Sequence, residues 1–202
     1  MFSGAQISLY PMTDRFVSVI TDALSALDPY RDRFRIETDD LSTLLVGPPE
    51  ELFPAMRDLF VAAAGTGVHT VLSATVSRGC PGEPDDAACT PVSRLGAAPG
   101  QDAVEDALRR LADAPVSGRH VSAQLSYYPL GERAHMDEIY AVIDFLKRSG
   151  AFGRSKNFCT KLEGDAGLVF LTLQETFLRF APEGAHLAFD LTVSANSPTG
   201  KG

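Results

Sequence analysis

The chain has 202 residues and a formal net charge of −8 at pH 7, with 26 Asp and Glu against 18 Lys and Arg. No basic run is present to neutralise phosphates, which excludes a nucleic-acid partner and disfavours an anionic membrane surface. No apolar stretch is long enough to span a bilayer, the N-terminus lacks a basic-then-apolar leader, and three cysteines make no secreted disulfide framework, so a cytoplasmic protein is expected.

In chain order, residues 5–10 of "AQISLYPM" alternate and end at Pro11, which predicts a strand running into a turn. Thr13 is the expected N-cap of a helix that carries Phe16, Val19, Ile20, Ala23, Leu24 and Leu27 at helical spacing. Residues 34–38 and 41–46 read as two strands joined at Asp39 and Asp40. Gly47, Pro48 and Pro49 open a second helix with Leu52, Phe53, Met56, Phe60 and Ala63 on one face, and residues 68–77 form a last strand. Residues 78–100, rich in Pro, Gly, Asp and Ala, read as a loop, and 101–114 as a connecting helix. Cys80 and Cys89 fall in that join and are candidates to pair under oxidation. With no C-x-x-C and no His cluster, a metal site is not supported, and reduced structural thiols are expected, Cys80 in a "GCPG" turn.

The pattern then starts again. "AQLSYYPL" (123–130) repeats "AQISLYPM" at a shift of 118 residues, "FCTKLEG" (158–164) repeats "LSTLLVG" (41–47) at 117, and "HLAFDLTVS" repeats "HTVLSATVS" at 117. Phe53 and Phe60 map onto Phe170 and Phe177 at the same shift. A constant shift marks a tandem duplication. The second unit reads as a strand over 121–128, a helix over 136–147, a weak strand over 152–157 that contains Gly153, a strand over 158–162, a helix over 166–180 and a strand over 186–194. Each unit has the order βαββαβ. The predicted fold is α+β, two tandem ferredoxin-like repeats with antiparallel four-stranded sheets and helices on one face, over 1–78 and 119–202, with 79–118 as loop and connecting helix.

Strand alternation sorts the side chains into two sets. Leu41, Thr43 and Leu45 are expected inward, as are Phe158, Thr160 and Leu162, so each core turns one hydroxyl inward at the same place. Such a hydroxyl needs a partner, which makes Thr43 and Thr160 candidate polar anchors in a pocket. Gln6, Ser8 and Tyr10, with Gln124, Ser126 and Tyr128, point to the open face beside Ser73, Thr75, Ser77, Asp190, Thr192 and Ser194. That face is either a second candidate site or a solvated or packed surface. His69 and His186 open the last strands and are read as structural. No G-x-S-x-G elbow, Gly-rich phosphate loop or H-E-x-x-H is present, and Asp39 and Asp40 are explained by a turn. Binding of a neutral or cationic small molecule, without metal or cofactor, is better supported than turnover.

The ordered set "SLYPMTDRFVSVI", "TDDLSTLLVG", "GCPG" and "LTVSANSP" resembles the YkoF family of thiamine/hydroxymethylpyrimidine-binding proteins, over nearly the whole chain. The resemblance implies two ferredoxin-like repeats per chain, a homodimer, and a ligand held by its pyrimidine ring with one site per repeat. It also implies a cytosolic binding protein, not an enzyme, linked to vitamin transport or salvage with a membrane transporter as possible partner. On the matching positions it implies ligand contacts at Leu9 and Thr43 in repeat one and at Tyr127 and Thr160 in repeat two, flanked by Ser8, Tyr10, Ser126 and Tyr128. Tyr127 departs from the pattern, because it places a phenol where Leu9 is aliphatic, and is expected to narrow the second pocket or stack on the ligand. Two other readings stay open on the residues alone: a sensing module resembling amino-acid-binding ferredoxin-like domains, and a small dimeric ferredoxin-like enzyme.

Overall fold

A computed structural model describes residues 3–79, 101–130, 136–182 and 184–199. Repeat one comprises β1 (Ser3–Pro11), α1 (Phe16–Leu24), a 3₁₀ turn (Ser25–Tyr30), β2 (Arg35–Thr38), β3 (Thr43–Val46), α2 (Pro49–Ala64) and β4 (Thr70–Arg78). Helix α3 (Gln101–Leu111) follows, packed against both helices of the second repeat. Repeat two comprises β5 (His120–Pro129), α4 (Met136–Arg148), β6 (Phe152–Ser155), β7 (Thr160–Asp165), α5 (Ala166–Arg179) and β8 (Leu187–Ala195). Cys80 and Cys89 lie outside the described residues; Cys159 is a free thiol.

Local chemistry explains where these elements begin and end. Thr13 does not cap α1: its hydroxyl takes the Arg15 N–H at 3.4 Å and its carbonyl takes the Phe16 N–H at 3.1 Å, so a turn precedes the helix. The helix tightens into the 3₁₀ turn where Pro29, without an N–H, cannot continue it. Gly153 explains the weak pattern of β6, which shifts register between Phe152 and Arg154. A Cβ at Gly153 would lie 3.2 Å from the Lys161 carbonyl, so a small residue lets the strands approach.

The two predicted four-stranded sheets are one continuous sheet. Its order is β2-β3-β1-β4-β8-β5-β7-β6, and every neighbouring pair is antiparallel. The repeats join through β4 and β8, paired from Thr70–Ala195 to Arg78–Leu187. This gives each last strand two neighbours and, among the described residues, leaves the short β2 and β6 as the edges, which protects the sheet from further pairing.

Beneath the sheet, α2 packs on α5 by exchanging equivalent rings: Phe53 meets Phe177 with centroids 5.4 Å apart, and Phe60 meets Phe170 at 6.1 Å. All four rings are fully buried. The persistence of Phe at these positions is thus a matter of packing across the repeat axis.

Each repeat also closes a helix end of the other. Asn196, held at φ 56°, donates its amide to the carbonyls of Ala64 (2.9 Å) and Val68 (3.0 Å). Arg78 donates to the carbonyls of Leu178 (3.1 Å) and Ala181 (2.9 Å) from one residue before the equivalent corner. That corner is Gly79, at φ +71°, where a Cβ would lie 2.5 Å from the Ala185 carbonyl. Only glycine satisfies both demands there. The two histidines tie the β4–β8 seam as a reciprocal pair: His69 Nε2 lies 3.0 Å from Ser194 Oγ and His186 Nε2 lies 3.3 Å from Ser77 Oγ. Burial holds the His186 pKa below its ordinary value, so the ring bonds as a neutral imidazole.

Candidate functional site

The same departure from strand pairing occurs in each repeat, and it opens a cavity. Strand β1 stays on β4 through Pro11, but its ladder with β3 ends at Ile7–Thr43. Strand β5 stays on β8 through Pro129, but its ladder with β7 ends at Leu125–Thr160. Past those points one long strand stands beside a turn instead of a partner strand. The space between sheet and first helix is left unfilled.

In repeat one this cavity measures about 120 Å³. Ile7 and Leu9 line it from β1, Ile20 and Leu24 from α1 and Leu59 from α2, while Thr38, Thr43 and the turn 39–42 form its wall. Thr43 is 7% exposed, and its Oγ1 lies 3.0 Å from Thr38 Oγ1. The turn is held by Asp39, whose Oδ1 accepts the N–H groups of Leu41 and Ser42 at 2.8 Å each. Those two bonds hold the Asp39 carboxyl below its ordinary pKa, and it is ionised at neutral pH. Ser8 Oγ donates to the Leu41 carbonyl at 3.0 Å and so pins the turn to β1.

The second cavity is the counterpart at about 290 Å³, lined by Leu125, Tyr127 and Thr160 with α4 residues including Ile139 and Ile143 and the turn 155–159. Ser126 Oγ donates to the Phe158 carbonyl at 3.2 Å, repeating the bond of Ser8. Ser155 stands where Thr38 stands, and Lys156 and Asn157 replace Asp39 and Asp40. Lys156 donates its ammonium to Gln124 Oε1.

The expected residues divide by position. Leu9 with Thr43, and Tyr127 with Ser126 and Thr160, come together at the cavities; Ser8 acts one step back, on the turn. Tyr10 and Tyr128 are 52% and 48% exposed, on the opposite face of the sheet, and line neither cavity. Tyr127 lines the second cavity, the larger of the two. Its phenol donates to the Phe180 carbonyl at 3.0 Å and its ring rests against Phe189 at 5.6 Å. The alternation that placed Leu41 and Phe158 inward fails. They are 79% and 90% exposed, because β3 and β7 start two residues later and the period of two does not extend into the turn. Ile20 was expected only as an apolar helix-face residue, and Thr38, Leu59, Ile139 and Ile143 carried no expectation of a site role; the match of Thr38 to Ser155 at a shift of 117 is the signal that marks Thr38.

A broader polar hollow of about 470 Å³ lies on the open face of repeat two, lined among others by Arg119, His120, Lys161, Glu163 and Ser197. Leu44 and Val46 stand in repeat one where Lys161 and Glu163 stand here, so the duplication does not repeat this charged lining. Among the described residues no group of three His, Cys, Asp or Glu gathers as a metal centre requires.

Two ferredoxin-like units fused through one sheet, each with a half-apolar cavity under its first strand and a threonine in the wall, define a duplicated α+β protein with a pair of equivalent cavities. The chain matches the family described as "YKOF-related Family" over residues 2–83 and 120–200, one match per repeat. It is 36% identical over 201 residues, covering 98% of this chain and 92% of the other, to a Bacillus subtilis (strain 168) protein named "Putative HMP/thiamine-binding protein YkoF". The chain belongs to the YkoF-related family.

Proposed function

We propose that this protein binds thiamine or its hydroxymethylpyrimidine (HMP) precursor reversibly, one molecule in each repeat, without turning it over. The observation that carries this reading is the recurrence of one cavity at one place in both repeats, each apolar inside with a threonine hydroxyl in its wall. A flat heteroaromatic ring suits that lining: its faces take the aliphatic side chains and an edge atom takes the hydroxyl. The name of the Bacillus relative supports the ligand class.

In this reading Leu9 and Thr43 hold the ring in repeat one, and Tyr127 and Thr160 in repeat two. Ser8 and Ser126 keep the turns in place, and Tyr10 and Tyr128 belong to the open face. The protein works in the cytoplasm as a homodimer and serves vitamin transport or salvage, with a membrane transporter as partner. Leu44, Val46, Val71 and Ala188 on the open sheet face form the apolar part of the dimer surface.

Calorimetric titration with thiamine, HMP and a panel of amino acids tests the reading. Two sites per chain, filled between them by thiamine and HMP, are expected. Heat with an amino acid and none with either pyrimidine would sink it in favour of a sensing module.

A further inference from the structure

The two cavities share a design but differ in size and in the charge at their mouths. In the first, Asp39 and Asp40 lie in the wall, with Asp39 kept ionised by its turn. In the second, Lys156 and Asn157 hold the same positions. Two carboxylates are thus exchanged for one ammonium at equivalent points.

Size adds a second constraint. A cavity of about 150 Å³ admits benzene. The first cavity, at about 120 Å³, is smaller than that, so it holds at most one six-membered ring, part of which stays in the mouth. Anything joined to that ring must remain at the mouth. A cation would remain there in any case, since moving it among Ile7, Leu9, Ile20, Leu24 and Leu59 would strip its water without replacement. At the mouth it meets two carboxylates. The second mouth carries Lys156 and no carboxylate among its described lining residues; the ammonium is held by Gln124 Oε1 rather than by the cavity, and its field disfavours a ligand with a fixed positive charge.

We infer that the two sites sort ligands by charge: the first takes a neutral pyrimidine joined to a cation, as in thiamine with its thiazolium, and the second takes the uncharged pyrimidine or its phosphate ester. This rests on the function proposed above and names which ligand goes where. The duplication then gives one chain a site for the intact vitamin and a site for its pyrimidine part. Asp39 and Asp40 set specificity in the first site and Lys156 in the second.

The test compares the full chain with Asp39→Asn/Asp40→Asn and with Lys156→Gln. Asparagine in place of Asp39 keeps the oxygen that accepts from Leu41 and Ser42, so the turn is preserved while the charge is lost. Thiamine, HMP, HMP phosphate and inorganic phosphate are titrated calorimetrically into each protein at low salt and at about 0.5 M salt. The double variant is expected to lose roughly tenfold in thiamine affinity at one site at low salt, much less at high salt, and nothing for HMP. Lys156→Gln is expected to weaken HMP phosphate several-fold at the other site and to improve thiamine there, with inorganic phosphate alone giving no comparable heat. Equal losses for thiamine and HMP, or thiamine affinities that ignore both variants, overturn charge sorting while leaving the binding function intact. No heat from either pyrimidine with the unaltered protein overturns both.

Discussion

Replacing Thr43 by Val removes one hydroxyl and keeps shape and β-branching, so it isolates the polar atom assigned to the ligand. In the unliganded protein that hydroxyl lies 3.0 Å from the hydroxyl of Thr38. Thr38 is exposed and can turn to water, so the lost bond costs no more than about 1 kcal/mol and the added methyl in an apolar wall offsets part of it. For a chain of this length the melting temperature is expected to fall by less than about 4 °C. With ligand bound, the loss leaves a ring nitrogen or amine unpaired in a dry cavity, which costs about 1–3 kcal/mol, or roughly 5- to 150-fold in affinity. Thr43→Ser keeps the hydroxyl and should bind within a few-fold of the unaltered protein. The Thr160 hydroxyl bonds to no protein group among the described residues, so Thr160→Val is expected to leave stability unchanged or raise it while weakening the second site alone. The assay pairs thermal melting with calorimetric titration of thiamine and HMP on all three variants. Normal affinity together with early melting in both valine variants would refute the assignment and make the threonines core residues only.

Asn196→Ala removes two bonds that close the end of α2 and puts a Cβ-bearing residue without a local hydrogen bond at φ 56°; a loss of about 2 kcal/mol is expected in urea unfolding, with ligand stoichiometry unchanged. Asp165 caps α5: burial pushes its carboxyl up, but the N–H groups of Ser117, Gly167 and Gly118 with the Ser117 hydroxyl outweigh it and hold the pKa down. A depressed folded-state pKa stabilises above the unfolded value of about 4 and stops doing so as pH falls through the folded value, so Asp165→Ala should cost about 1–2 kcal/mol at pH 7 and progressively less in acid. Light scattering is expected to give a dimer mass at micromolar concentration, and Thr192→Arg, at the centre of the open face beside Ser73, to give a monomer; a monomeric mass for the unaltered chain rules the dimer out.

Much of the fold is legible in the sequence because duplication and periodicity are local properties. The shift of 117 residues, the βαββαβ order and the inward placement of Thr43 and Leu45 all follow from patterns a few residues long, and the structure reproduces them. Phe53 and Phe60 could be matched to Phe170 and Phe177, but the exchange that sets Phe53 on Phe177 and Phe60 on Phe170 belongs to the two-fold relation of the repeats in space. The same relation pairs β4 with β8 and sends Asn196 and Arg78 to the helix ends of the opposite repeat. The cavities depend on it too. Each forms where β1 or β5 runs on along its last-strand neighbour after β3 or β7 has stopped, and no single strand carries that difference in its own residues. Leu41 and Phe158 show the limit most directly: alternation turns them inward, yet they lie in turns before their strands begin, and a period of two means nothing where no neighbouring strand holds the backbone extended.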